Sequence, residues 1–446
     1  RWNCRGDLMF KTLKNAFNIQ DVRRRIFYVF MMLVVVRLGS QLPVPFIDSA
    51  QIQAWFASQT GDAFNFLDAF TGGSFENMSI FALNITPYIT SSIIIQLLTI
   101  AIPKLEEMQR DGEDGRKKIA TITRYVTVGL ALFEFVAFTI GFHNQGWITD
   151  MTIGKGISIV ASLTAGSAFL MWVGERINEK GVGNGISVVL LINIVSRIPS
   201  DMVVLYTNFV KGKTIAKGTL AALIIVAVIL VVVVLVLILN GAQRNIPVQY
   251  SKKMQGRRLV GGQSSHIPLK VNTAGVIPII FVSSLFSIPS IVASLLGKGQ
   301  GTGIGSQILA SLNSGNWFKP SAPQYSLGLI LYVALVIFFA YFYTSITFNP
   351  LEVADNIKKQ GGFIPGIRPG KPTVDYLTQI LNYIIFVGAI GLTIVAVIPF
   401  FFNGVFGANV SFGGTSLIIV VGVVLETLKQ IESMMLVRNY KGFLND

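Results

Sequence analysis

Charge is what this sequence has least of. Asp, Glu, Lys and Arg make up 13% of its 446 residues, against about 25% in soluble proteins, and that deficit argues for a chain solvated largely by lipid. Histidine is nearly absent: the two, His143 and His266, fall where loops are expected, which disfavours a metal site within the membrane. A single cysteine, Cys4, excludes an internal disulfide framework and leaves the redox compartment open. Nucleotide-binding loops are missing too. "GIRPGKPT" (366–373) imitates the end of a phosphate-binding loop, but its glycine spacing is one residue short and Pro372 stands at the Ser/Thr position. "KGKT" (211–214) has Thr207 where the upstream glycine belongs. With no constellation of His, Asp or Glu to support catalysis, neither an enzyme nor a cofactor is expected, and any uphill transport must draw its energy from a partner or a gradient.

What the chain has in abundance is apolar sequence, 52% of all residues, with a mean hydropathy of +0.62. Runs of about 20 such residues suffice to cross a hydrocarbon core of roughly 30 Å, and "TLAALIIVAVILVVVVLVLILN" (219–240) is the plainest. Ten spans are expected near 26–42, 79–101, 119–141, 157–177, 185–206, 219–240, 273–296, 327–348, 377–399 and 415–436. Of the 36 Lys and Arg, 28 fall in segments on the side of the N-terminus and 7 on the other, Arg37 within the first span being the remainder. By the positive-inside rule both termini are cytoplasmic. The +14 net charge is thus largely topological, with basic residues against anionic lipid. Met9 reads as a natural start, so 1–8 is expected to be a start-site or cloning artefact. "RRR" (23–25) leads into the first span with no cleavage site, so it reads as an anchor and not a removable signal.

Ten spans divide into 26–206 and 219–436, joined by an external loop at 207–218, and two five-span repeats must lie inverted to one another. The segments 9–25 and 437–446 and the loops 241–272 and 349–376 then face the cytoplasm. The second span of each half carries proline: Pro87 in "SIFALNITPYITSSIIIQLL", and Pro278 and Pro289 in "TAGVIPIIFVSSLFSIPSIV". Interior prolines are expected to kink these helices, and paired broken spans point to a central pathway. Before the first of them, "AFNFLDAFTGGSFEN" (63–77) is too short to span and is broken at Gly72–Gly73. It fits a re-entrant segment or an amphipathic surface loop. Arg37 and Glu134 are the clear ionisable residues inside spans, and no interior partner is evident for either; Glu134 is expected to face a neighbouring helix or subunit. Ile85 and Ile89 share a helix face, and an aliphatic constriction of this kind gates by dewetting without binding a particular solute. A secondary transporter built on inverted repeats is the alternative, but it needs charged or coordinating groups at the midplane.

"PGIRPGK" (365–371), "NPLEVADNIKKQGGFIPG" (349–366), "KKMQGRR" and "SSHIPLKVNTAGVIP" (252–278), "GERINEKGVGNGIS" (174–187) and "FGGTSLIIVV" (412–421) resemble, in the same order, the bacterial SecY family, central subunits of the Sec protein-conducting channel. The resemblance covers about 9–446. It implies an all-α polytopic fold of ten helices in two inverted halves around an hourglass pore that opens laterally to lipid. Matching positions give a pore ring of Ile85, Ile89, Ile186, Leu190, Ile280 and Ile419. They give a plug in 63–77, with Phe64, Phe66, Leu67, Phe70, Gly72 and Gly73. They also give a lateral gate with Pro87, Thr90, Ser91, Pro278, Ser283 and Ser284. The basic residues Arg257, Arg258, Lys358, Lys359, Arg368 and Lys371 would dock the driving partner, the SecA ATPase or the ribosome, whose polyanionic RNA suits them. SecE and SecG subunits, signal peptides and nascent or secretory polypeptides are the other partners that the family implies. Leu190 stands where relatives often have Ile, and Glu134 where some have Gln.

Overall fold

The computed structural model describes residues 17–58, 71–144, 146–148, 151–211, 215–250, 253–255, 258–260, 264–295, 304–313, 316–318, 323–406 and 414–442. Its helices are α1 (Gln20–Gly39), α2 (Ser49–Ser58), α3 (Thr86–Ala101), α4 (Pro103–Arg110), α5 (Glu113–Asn144), α6 (Ile153–Lys180), α7 (Gly185–Leu205) and α8 (Ile215–Gly241). They continue as α9 (Ile277–Leu295), α10 (Ile304–Leu312), α11 (Leu327–Thr347), α12 (Pro350–Lys359), α13 (Lys371–Phe406) and α14 (Gly414–Gly442). Each of the ten expected spans overlaps one of these helices, α1, α3, α5, α6, α7, α8, α9, α11, α13 or α14, with differing bounds. Six helices among the described residues are long and apolar enough to cross a membrane, or seven if a bent pair is taken as one.

That pair is α3 and α4, between which the chain bends by 107°. Pro103 forces the break: a residue before proline is pushed out of the helical region, and Ile102 is extended at φ −113°, ψ 109°. Elsewhere proline acts differently from the expectation. Residues 79–85 are not helical, α3 starts at Thr86, and Pro87 occupies its first turn. Pro278 is likewise the second residue of α9. Neither kinks a helix from within, because in the first turn the missing N–H has no intrahelical acceptor to lose and the fixed φ favours initiation. Only Pro289 is interior to α9. The histidines also differ from the expected loops: His143 lies in the last turn of α5 and His266 in a strand.

Two buried clusters anchor the two halves. In the first, Phe75, Met78, Phe135, Phe142, Trp147 and Leu163 pack with Val44 and Ile52. In the second, Trp317 and Tyr332 pack with Val236, Ile279, Val282, Phe286, Val336, Leu392, Val395 and Ile418. The longest apolar run shows how lipid replaces core. On α8 Val232, Val236 and Leu239 are buried, while Leu223, Leu230, Val231 and Val234 are exposed. A helix apolar all round with one exposed face is solvated by hydrocarbon there.

One feature outside the helices was not expected. Strands β1 (Gln243–Tyr250), β2 (Lys253–Gln255), β3 (Arg258–Val260), β4 (Ser264–Lys270) and β5 (Gly362–Phe363) form two small antiparallel sheets, β4-β1-β5 and β2-β3. In β1 the alternating Ile246 and Val248 are buried, as the two-residue period of a one-faced strand requires. Tyr250 pairs with Gly362 and Gln249 with Phe363, so the two long basic segments, about a hundred residues apart in sequence, share a sheet. Beneath it Ile246, Val248 and Leu269 pack on Ala354, Ile357, Ile364, Leu377 and Ile380.

Candidate functional site

Six aliphatic residues converge from four helices. Ile85 precedes α3, Ile89 lies in its first turn, Ile186 and Leu190 open α7, Ile280 is in the first turn of α9, and Ile419 is near the start of α14. Leu190, Ile419, Ile89 and Ile280 share one cluster with Val188, Ile194, Val276 and Val423. Ile85, Ile186 and again Ile89 belong to an adjoining cluster with Val36, Phe81, Leu170 and Val189. Ile85, Leu190 and Ile419 are 1%, 6% and 3% exposed, and Ile89, Ile186 and Ile280 are half-buried.

The two proline-initiated helices reach this cluster by the same local device. A residue of positive φ stands three before each proline: Asn84 at +53° and Gly275 at +64°. After it, the carbonyl of Ile85 accepts from the N–H groups of Tyr88 and Ile89, and that of Val276 accepts from Ile279 and Ile280. Each turn thereby delivers the isoleucine two residues after proline, Ile89 or Ile280, into the cluster.

Of the plug residues, Phe64, Phe66, Leu67 and Phe70 lie outside the described residues. Gly72 and Gly73 begin a stretch that is held from several sides. The Arg37 guanidinium donates to the Gly72 carbonyl at 3.3 Å, which supplies the partner not evident in the sequence. Arg197 on α7 pairs with Glu76 at 2.8 Å. The Gln53 amide donates to Asn77 at 2.8 Å. Backbone bonds from Val44 to Met78 and from Ile80 to Leu42, each 2.9 Å, tie the stretch to the chain after α1. Residues 71–80 are therefore a stem fixed to the first half.

A cleft separates α3 from α9, lined by Ile93, Gln96 and Leu97 on one side and by Ile277, Pro278 and Phe281 on the other. Phe339, Phe342 and Tyr343 of α11 complete it. Pro278 is the gate residue from the sequence that lines this cleft. The hydroxyls of Thr90 and Ser91 instead bond the carbonyls of Thr86 and Pro87, four residues back on their own helix, at 3.1 and 2.7 Å. Pro87 and Ser283 are buried. Sequence reading missed Gln96 and Phe281, although a lone amide in an apolar run was a signal for the former. Glu134 is half-buried on α5.

Among the basic residues, Lys358 and Lys359 are exposed in the last turn of α12, whose N-terminus is capped by Asn349; Arg368 is exposed on the loop beyond it and Lys371 is exposed as the first residue of α13. The Arg368 carbonyl accepts the Thr373 hydroxyl at 2.9 Å, which fixes the tip against α13. Arg258 is in β3 and Arg257 lies outside the described residues. No group of three or more His, Cys, Asp or Glu among the described residues could hold a metal.

This is the architecture of a membrane channel: polytopic and helical, with packed aliphatic clusters where four helices converge and a crevice beside them. A family model, SecY, matches residues 79–428. The protein translocase subunit SecY of Halalkalibacterium halodurans is 42% identical over 443 residues, covering 98% of this chain and 100% of its own length. Two solved structures share the fold over 92% of both chains. One, on how the plug domain of the SecY protein stabilises the closed state, has a TM-score of 0.62 at 17% identity. The other, Sec61 in the canine ribosome–channel complex, has a TM-score of 0.60 at 16% identity. The chain belongs to the SecY family and is a multi-pass membrane protein.

Proposed function

We propose that this chain is the passive, channel-forming subunit of a protein translocase in a bacterial plasma membrane, with ten spans and both termini cytoplasmic. The observation that carries the reading is the ring: six aliphatic side chains from both halves meet in two adjoining clusters. A translocating polypeptide is unfolded and chemically unpredictable, so specific ligands along its path would stall it. Branched aliphatic side chains seal against water when the path is empty and hold nothing when it is full.

Segment 63–70 is read as the plug tip, carried on the fixed stem 71–80. The cleft between α3 and α9 is the lateral exit. A signal sequence, apolar over about 7–15 residues, leaves through it because lipid solvates it better than a watery pore. The shared sheet and the Arg368 tip form one basic platform on which SecA or a ribosome docks, and SecE and SecG are the companion subunits. Work comes from the docked partner, and the chain itself is not an enzyme.

The test is ion conductance after removal of 63–70 alone, with the stem left in place. A plugged pore leaks, whereas a transporter does not become a channel, and a folded deletion that stays tight refutes the reading. Crosslinks from a stalled secretory chain to cysteines at the six ring positions locate the path.

A further inference from the structure

The motif "GERINEKGVGNGIS" (174–187) contributes only Ile186 to the ring and nothing to the gate or platform, yet it joins three helices. Its segment 181–185, the loop after α6 together with the first residue of α7, links those two helices. The Arg25 guanidinium on α1 donates to the Gly181 carbonyl at 3.3 Å. Val182 is buried with Val22 of α1 and Ile431 of α14, and Ile19, Ile26, Met434 and Met435 pack against them. The Gly183 N–H donates to the Gln430 side-chain oxygen on α14 at 2.5 Å, a bond between the two halves. Gly183 takes φ +85°, and a Cβ there would meet the Thr427 hydroxyl of α14 at 2.8 Å, so only glycine lets the loop lie this close to the last helix.

The same loop sets the start of α7. The Gly185 N–H donates to the Asn178 side chain at 2.7 Å. Asn184 caps the helix by accepting from Ile186 and Ser187. A Cβ on Gly185 would fall 2.0 Å from the Gly174 carbonyl, and one on Gly174 would fall 3.1 Å from the Ile186 side chain. The backbones of α6 and α7 are thus in direct contact, and Ile186 has one place to go. Leu190 lies one turn further along the same helix.

We propose that segment 181–185 is a joint through which α14 sets the placement of Ile186 and Leu190, with Gln430, Asn178 and Arg25 as positioning residues for the constriction. The joint ties α14 to the loop immediately before Ile186. The consequence for the pore rests on the ring assignment proposed above.

The test uses the full-length chain in planar bilayers and in nanodiscs, comparing Gln430→Ala with Gln430→Glu, which keeps an oxygen acceptor for the Gly183 N–H. Gln430 is exposed, so neither change disturbs the core. Resting ion conductance is read together with electron–electron distances between spin labels at the exposed positions 179 and 426, with Cys4 replaced by Ser. Gln430→Ala is expected to broaden the distance distribution and raise the conductance two- to tenfold, roughly the effect of one hydrogen bond on a two-state population. Gln430→Glu is expected to match the parent in both. A Gln430→Ala protein like the parent in both readouts overturns the proposal. Broadened distances with unchanged conductance support the joint and refute the ring assignment of Ile186 and Leu190.

Discussion

Adjacent glycines at the stem provide a controlled comparison. Gly72 and Gly73 both have positive φ, +66° and +83°, so alanine at either pays the left-handed penalty of about 1–2 kcal/mol. Their surroundings differ. A Cβ at Gly72 would lie 2.8 Å from the Asn193 carbonyl oxygen and 2.9 Å from its Cα, and helix backbone cannot rotate aside. At Gly73 the nearest atom is a guanidinium nitrogen of Arg197 at 3.5 Å, ordinary contact with a flexible side chain. Overpacking adds about 1–3 kcal/mol, so Gly72→Ala carries that excess over Gly73→Ala. Displacing the stem from α7 relieves the clash, and the excess corresponds to roughly 5–150-fold in the population of the displaced state. Ion conductance of the two variants in planar bilayers, at matched protein density and with thermal unfolding measured alongside, reads that population. Gly72→Ala is expected to leak well above Gly73→Ala. Equal conductances, or a leakier Gly73→Ala, would refute the claim that backbone packing on α7 holds the stem.

Three further outcomes are expected. Glu76→Arg and Arg197→Glu each raise resting conductance, and the double exchange restores most of the seal; because the pair is partly exposed, the coupling should be only about 0.2–1 kcal/mol, and a double variant leakier than both singles would remove the ion pair from the account. Arg368→Glu leaves membrane insertion intact but abolishes partner-driven translocation in vitro, and unimpaired translocation would remove the tip from the docking platform. Asn349→Ala loses the α12 cap, worth about 1 kcal/mol, so limited proteolysis should cut 350–363 faster; an unchanged rate would show that the sheet contacts alone hold that helix.

The membrane class, the positions of the apolar segments and the basic bias of one set of loops are legible in the sequence, because each depends on residues close together in the chain. Ile85 and Ile89 are related by a helical period and so could be paired by reading alone. Ile186, Leu190, Ile280 and Ile419 came only through resemblance, since nothing local relates residues a hundred positions apart. Proline illustrates the limit. Its positions in the second span of each half were plain, but whether it kinks or starts a helix depends on the turn before it, where Asn84 and Gly275 take positive φ. Arg37 looked unpartnered because its acceptor is a backbone carbonyl, which carries no signature in the sequence. The two basic loops could be grouped by charge, but their shared sheet could not be read, because the pairing of Tyr250 with Gly362 joins residues far apart in the chain. Composition and hydropathy by themselves determined that this chain is solvated by lipid and where it can cross. Only the tertiary structure decided which side chains meet in the constriction, which backbone groups hold the stem, and that one loop ties the last helix to the first half. Those contacts join distant parts of the chain, and their energies come from close packing and hydrogen-bond geometry that no local pattern encodes.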